Sequence, residues 1–248
     1  MHVMDISERI HAMSVKLISE YTSGVAGGAR RSPVLDVLFA ESNHRIANNL
    51  TLIAGLLHQR TTDIAREGRP LSAQDACLML EETVRRIETV GDLHQRLAKA
   101  GPRSVPDFHQ YLQDIAKAAI GSIVRPGAMI LEPAACSAFM VPADQALPVG
   151  LIVGELVTNA VKYSHPAGVR GRIELRCHQG PDATILIQVM DDGVGLPEGF
   201  DPKLAGGLGL RLVRTLAEQL GASLSFDSSS IGLTVKLLLP AGVQTGVN

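Results

Sequence analysis

Tryptophan is absent from this 248-residue chain and aromatic residues make up only 3% of it, so the chain has little from which to build a stacking platform for single-stranded nucleic acid or a sugar. A dominant charge is missing too. The 23 basic and 25 acidic residues leave a net charge of −2, which gives no electrostatic case for nucleic acid or an anionic membrane. Cysteine is scarce. Cys77, Cys136 and Cys177 are scattered, odd in number and without metal-ligand spacing, so they read as packing residues in a reduced, cytoplasmic protein. No run approaches the roughly 18 apolar residues of a membrane span, and Met1 to Arg9 hold no apolar signal core. No membrane insertion is expected.

What is present is an aliphatic core in two textures. Hydrophobic residues make up 46% of the chain, and the pattern changes near Gly101-Pro102. Residues 1–28 read as a short helix ending in a Gly-rich linker, with Ile6, Ile10, Met13 and Leu17 near helical spacing. Residues 29–103 read as a helical hairpin for dimerisation. One arm carries Ile46, Leu50, Ile53 and Leu57, the other Leu80, Val84, Ile87, Val90, Leu93 and Leu97, with a turn at Glu67 to Pro70. One apolar stripe on one hairpin buries too little, so a second copy forming a four-helix bundle is the simplest cover. The N-terminal helix is the alternative cover, and would leave a monomer.

Residues 104–241 have a mixed pattern, with 242–248 as a tail. Helices are expected over Asp107 to Ile120, Ala143 to Tyr163 and Leu208 to Leu220, and strands over Met129 to Glu132, Ser137 to Val141, Arg172 to His178, Thr184 to Met190, Ser223 to Asp227 and Leu233 to Leu239. The fold class is therefore α+β: a helical hairpin, then a sheet covered by helices on one side.

Three blocks in the second part point to a nucleotide triphosphate. Glu155, Asn159 and Lys162 follow one another at four and three residues on one helix face, so a carboxylate, a neutral oxygen for Mg²⁺ and an ammonium can converge. Asp191 ends an apolar strand, where a carboxylate can accept the adenine amino group while Gly193 and Gly195 let the backbone turn close to the base. Gly206, Gly207 and Gly209 lead into a helix whose amino terminus favours phosphate, with Asp201 to Ala205 as a short lid. Taken singly, Asp-Asp-Gly also makes an ordinary turn and Gly-Gly an ordinary loop. Glu155 within Ile-Val-Gly-Glu-Leu-Val is costly there unless paired or used. The glycine spacing does not fit a dinucleotide fingerprint, and there is no Gly-x-x-x-x-Gly-Lys-Ser/Thr loop.

Upstream, with Ile46 at the zero of a helical wheel, Leu50, Ile53 and Leu57 fall within about 40° of it, whereas His44, Glu41 and Asn48 fall at roughly 160° to 220°. His44 thus faces away from the apolar seam. A neutral imidazole there offers a ring nitrogen as nucleophile. A solvated surface histidine is the plain alternative. The other seven histidines, among them His58, His94, His109 and His165, form no metal spacing and read as background.

Glu-Leu-Val-Thr-Asn-Ala-Val-Lys-Tyr, Asp-Asp-Gly-Val-Gly-Leu-Pro and Gly-Gly-Leu-Gly-Leu-Arg-Leu-Val resemble the N, G1 and G2 boxes of the GHKL ATPase superfamily. Glu41-Ser-Asn-His44-Arg45-Ile-Ala-Asn48-Asn49 resembles the phosphoacceptor box of a histidine kinase branch related to the HWE kinases. The resemblance implies a Bergerat-type α/β sandwich that binds ATP, with Asn159 on Mg²⁺, Asp191 on adenine, and Gly207 and Gly209 at the lid and phosphates. It also implies His44 as phosphoacceptor, a homodimer, and a response regulator receiver domain as partner. Two positions depart from the common pattern. Arg45 stands where most relatives place an acid after the histidine, so Glu41 or Glu155 would take the imidazole proton. Asn48, four after His44, allows a phosphatase activity. The rival readings are a phosphotransfer adaptor with an inactive ATP domain, and a serine kinase of the anti-sigma type using Glu155.

Overall fold

The computed structural model describes residues 54–55, 61–62, 64–66, 72–100, 104–105, 107–124, 127–132, 141–165 and 169–240. His44, Asn48 and the N-terminal helix expected over Asp5 to Tyr21 lie outside the described residues. The chain divides into two compact units, 1–95 and 96–248.

In the first unit, residues 54–55, 61–62 and 64–66 are helical, and α1 (Ala73–Ala100) starts in this unit and crosses into the second. The helix has a side-chain cap. Ser72 Oγ accepts the Asp75 amide at 3.0 Å and donates to the Asp75 carboxylate at 2.6 Å, which satisfies one of the amides a helix start leaves without a partner. Val90 and Leu93 on α1 are buried, whereas Leu80, Val84 and Ile87 form an exposed apolar stripe at four- and three-residue spacing.

The second unit is a mixed five-stranded sheet with helices on one face. Its elements are β1 (Ser104–Val105), α2 (Phe108–Gly121), β2 (Met129–Glu132), β3 (Val141–Pro142), α3 (Ala143–Tyr163), β4 (Gly171–Gln179), β5 (Ile185–Asp191), α4 (Leu208–Gln219), β6 (Ser223–Ser229) and β7 (Gly232–Leu239). The sheet order is β2-β4-β5-β7-β6, and only β2 and β4 run parallel. This is the α+β arrangement expected from the sequence. A second sheet is the two-residue pair β1 and β3; of the strand expected over Ser137 to Val141 only Val141, the first residue of β3, lies among the described residues, and β1 has too short a sequence signal to be foreseen.

Alternation explains the layering. Ile173, Leu175 and Cys177 of β4 lie across from Asp191, Val189 and Ile187 of β5, and Val189, Ile187 and Ile185 lie across from Val235, Leu237 and Leu239 of β7. All of these but Asp191 are buried under the helices. The opposite face carries Glu174 with Arg176, and Lys236 with Asp227, as open ion pairs. The most apolar of the three helices, α3, packs between α2 and α4. Leu147, Ile152, Val153 and Val157 are at most 1% exposed, as befits a helix covered on most sides. Pro148 sits inside α3 without ending it. In α4, Leu212, Val213 and Leu216 face the core, and Gly221 with φ +61° turns the chain out of the helix.

The sheet follows the two-residue period closely enough that Asp191 has to share the core side with Val189. Replacing Leu237 with alanine, at 1% exposure, is expected to cost about 2–5 kcal/mol in urea unfolding. Leu238→Ala on the outer face should cost under about 1 kcal/mol.

Candidate functional site

The site lies where the end of α3, the loop after β5 and the turn between β6 and β7 meet. Glu155, Asn159 and Lys162 share one face of the last turns of α3, and all three are half-buried. Lys162 stands in the final turn, where the helix dipole favours a cation.

Asp191 ends β5. Its Oδ1 accepts the Gly193 amide at 3.0 Å and the Leu233 amide at 3.4 Å. Both bonds use Oδ1, so Oδ2 keeps its capacity to accept a hydrogen bond from the amino group of a nucleotide base. Burial on the core side raises the Asp191 pKa above the ordinary carboxylate value, and the two amide bonds work against that rise.

The glycines around Asp191 are held by close backbone approach. A Cβ on Gly193 would lie 2.2 Å from the Ser164 carbonyl oxygen, and the neighbouring Val194 amide donates to that same oxygen at 2.9 Å. Gly195 has φ +70°, and a Cβ there would come within 2.3 Å of the Ser229 carbonyl oxygen. Ser228 Oγ accepts the Leu196 amide at 2.8 Å, which closes the loop onto the β6–β7 turn. A side chain at Gly232 would strike the Asp191 carbonyl oxygen at 2.0 Å.

Gly207 caps α4 with no side-chain hydrogen bond, and Gly209 is buried in the first turn. Before them, Asp201 to Ala205 form a compact turn. The Leu204 and Ala205 amides donate to the Asp201 carbonyl oxygen at 3.1 and 2.8 Å. Arg214, from α4, donates to the Pro202 and Ala205 carbonyl oxygens at 2.7 Å each.

The structure thus brings Asp191, Gly193 and Gly195 together with the end of α3. Sequence reasoning missed Ser164, Ser228, Gly232 and Arg214, whose parts are backbone contacts that carry no motif. It set His165 aside as background, yet the His165 Nε2 lies 3.4 Å from Asp192 Oδ1.

The pattern of the family described as histidine kinase-, DNA gyrase B- and HSP90-like ATPase matches residues 144–243, and that of a histidine kinase family matches residues 41–123. The chain thus carries a histidine kinase domain followed by an ATPase domain of the kind that histidine kinases share. Among its relatives, the blue-light-activated histidine kinase 2 of Erythrobacter litoralis is 30% identical over 86% of the chain. The sensor histidine kinase PdtaS of Mycobacterium tuberculosis is 29% identical over 84% of it. The matched region makes up 60% and 40% of those two proteins. A solved structure of a blue-light activated histidine kinase of Erythrobacter litoralis superposes with a TM-score of 0.70 at 29% identity, over 88% of this chain and 64% of the other. No helix among the described residues is long and apolar enough to cross a membrane.

The residues present suit a nucleotide with Mg²⁺. Among the described residues there is no cluster of three His, Cys, Asp or Glu that could hold a metal alone. Phosphate oxygens and water would supply most ligands, as Mg²⁺ commonly prefers.

Because the folded-state pKa of Asp191 is raised, its ionised form costs stability once pH rises above that value. At pH 7, Asp191→Asn is therefore expected to melt at or above the wild-type temperature. The same variant should bind ATP roughly tenfold to a hundredfold more weakly by calorimetry, the value of a hydrogen bond to a charged group. Unchanged ATP affinity would remove Asp191 from the base-binding role.

Proposed function

We propose that this chain phosphorylates His44 from Mg·ATP and hands the phosphoryl group to an aspartate of a response regulator receiver domain. The observation that carries this reading is the Asp191 carboxylate, held half-buried by the Gly193 and Leu233 amides at the start of a loop whose Val194 amide bonds to Ser164, just past the end of α3.

In the transfer, a ring nitrogen of His44 forms a bond to the γ-phosphorus. The bond from that phosphorus to the bridging oxygen breaks, ADP leaves, and the ring proton passes to Glu41 or Glu155. Bound Mg²⁺ would neutralise phosphate charge, with Asn159 supplying one oxygen. Lys162 would add charge beside the phosphates, Asp191 would select adenine, and the Gly207–Gly209 stretch would let phosphate approach the start of α4. Gly193 and Gly195 keep the base-side loop close to the backbone. Asn48 would orient a water molecule that hydrolyses the phospho-aspartate of the partner to carboxylate and inorganic phosphate. Homodimerisation through the Leu80, Val84 and Ile87 stripe would shield apolar surface that this chain leaves exposed. The reduced cytoplasm is the compartment in which this reading sets the protein.

Incubation with ATP labelled on its γ-phosphate should give acid-labile, alkali-stable label on wild type and none on His44→Ala or Asn159→Ala. Glu155→Gln should slow labelling by roughly 10²–10⁴ if Glu155 takes the proton. Label on His44→Ala would overturn the assignment of the phosphoacceptor.

In sedimentation, the wild type should run as a dimer and Leu80→Asp with Ile87→Asp as a monomer. A wild-type monomer would remove the dimer from the proposal.

A further inference from the structure

The two sides of the site are joined by a side-chain contact between Asp192 and His165, the latter outside the three motif blocks. His165 is the second residue after α3. Its Nδ1 lies 2.9 Å from Ser164 Oγ and its Nε2 lies 3.4 Å from Asp192 Oδ1. The same Asp192 oxygen accepts the Arg172 amide at 2.7 Å, which ties it to the start of β4. The ring also has a seat. A Cβ on Gly171 would come within 2.7 Å of Nδ1, so a residue without a side chain is what admits the imidazole there.

A Ser-His-Asp order invites a hydrolase reading, but the burial argues against it. Ser164 is 4% exposed, so its hydroxyl is closed to a substrate. The His165 side chain is 14% exposed and that of Asp192 45%. A partly sheltered His-Asp contact at the junction of a helix and a strand end is suited to holding two elements in register.

The elements it holds are the ones that matter. On one side, α3 carries Glu155, Asn159 and Lys162. On the other, Asp192 follows Asp191, whose carboxylate faces the core side while that of Asp192 reaches His165. One backbone bond, from the Val194 amide to the Ser164 carbonyl oxygen, also spans the junction. A single such bond allows rotation about itself, whereas a second contact at a different point removes that freedom.

We propose that His165 is a positioning residue which, through Asp192, sets the Asp191 carboxylate against α3 so that the site selects a purine by its 6-amino group. The inference rests on the nucleotide reading above. It deepens that reading by naming what fixes base selectivity, and it gives His165 no contact with the reacting atoms.

The test compares binding of Mg·ATP with Mg·inosine triphosphate, which has a 6-oxo group in place of the amino group, by calorimetry on the full chain. Wild type should prefer ATP. His165→Ala and Asp192→Asn should each compress that preference roughly threefold to tenfold, the range of one hydrogen bond's net worth. The double variant should lose little more than either single one, because both break the same contact. Asp192 is exposed enough that its variant keeps the test available if His165→Ala fails to fold. An unchanged ratio in Asp192→Asn, or equal weakening of both nucleotides, would overturn the positioning role. If Asp191→Asn compresses the ratio and the His165 and Asp192 variants do not, only this inference fails. If wild type shows no preference and Asp191→Asn changes neither nucleotide, the adenine assignment fails with it.

Discussion

The second unit turns on a carboxylate placed on the wrong side of a sheet. Along β5 the buried positions run Ile185, Ile187, Val189, and the two-residue period makes Asp191 the next member of that series. An ionised group there is costly unless something satisfies it. The amides of Gly193 and Leu233 do so in part, and their convergence on one oxygen requires the chain to turn back tightly after β5 and requires β7 to begin close by. The burial and the tight turns are therefore one constraint.

That constraint accounts for the glycines around the site better than loop flexibility does. Gly193 is small because the Ser164 carbonyl occupies the space of a Cβ, and Gly232 because the Asp191 carbonyl does. Substituting either would displace backbone, with no flexible side chain to yield, and the displacement would fall on Asp191. By contrast, a Cβ at Gly207 would meet open space. Its smallness has no packing cause among the described residues, which fits a position kept open at a helix start. The turn from Asp201 to Ala205 is folded, pinned by Arg214 at two carbonyl oxygens. Any movement of that turn has to release or carry along those bonds.

The first unit follows a different logic. α1 buries Val90 and Leu93 but leaves Leu80, Val84 and Ile87 open to solvent, so it is an amphipathic helix with apolar surface to spare. The matched relatives are longer proteins, and the chain corresponds to 40–60% of their length.

The sequence by itself determined the elements and their faces. Strand alternation in β4, β5 and β7 and the apolar pattern of α3 and α4 are local properties, set by periods of two and 3.6 residues, and they put the structure's layers in place to within a residue or two at most ends. The three motif blocks, two of them glycine-rich, were legible for the same reason, since their chemistry is carried by residues close together in the chain. What only the tertiary structure decided was which distant backbone atoms meet. Ser164 against Gly193, Gly232 against Asp191, Ser228 under Leu196 and His165 beside Asp192 join positions separated by up to about forty residues, and no spacing rule encodes them. They depend on the strand order β5-β7-β6 and on where α3 ends against the sheet. Those follow from how the whole core packs, so the residues that frame the site stayed invisible until the fold brought them together.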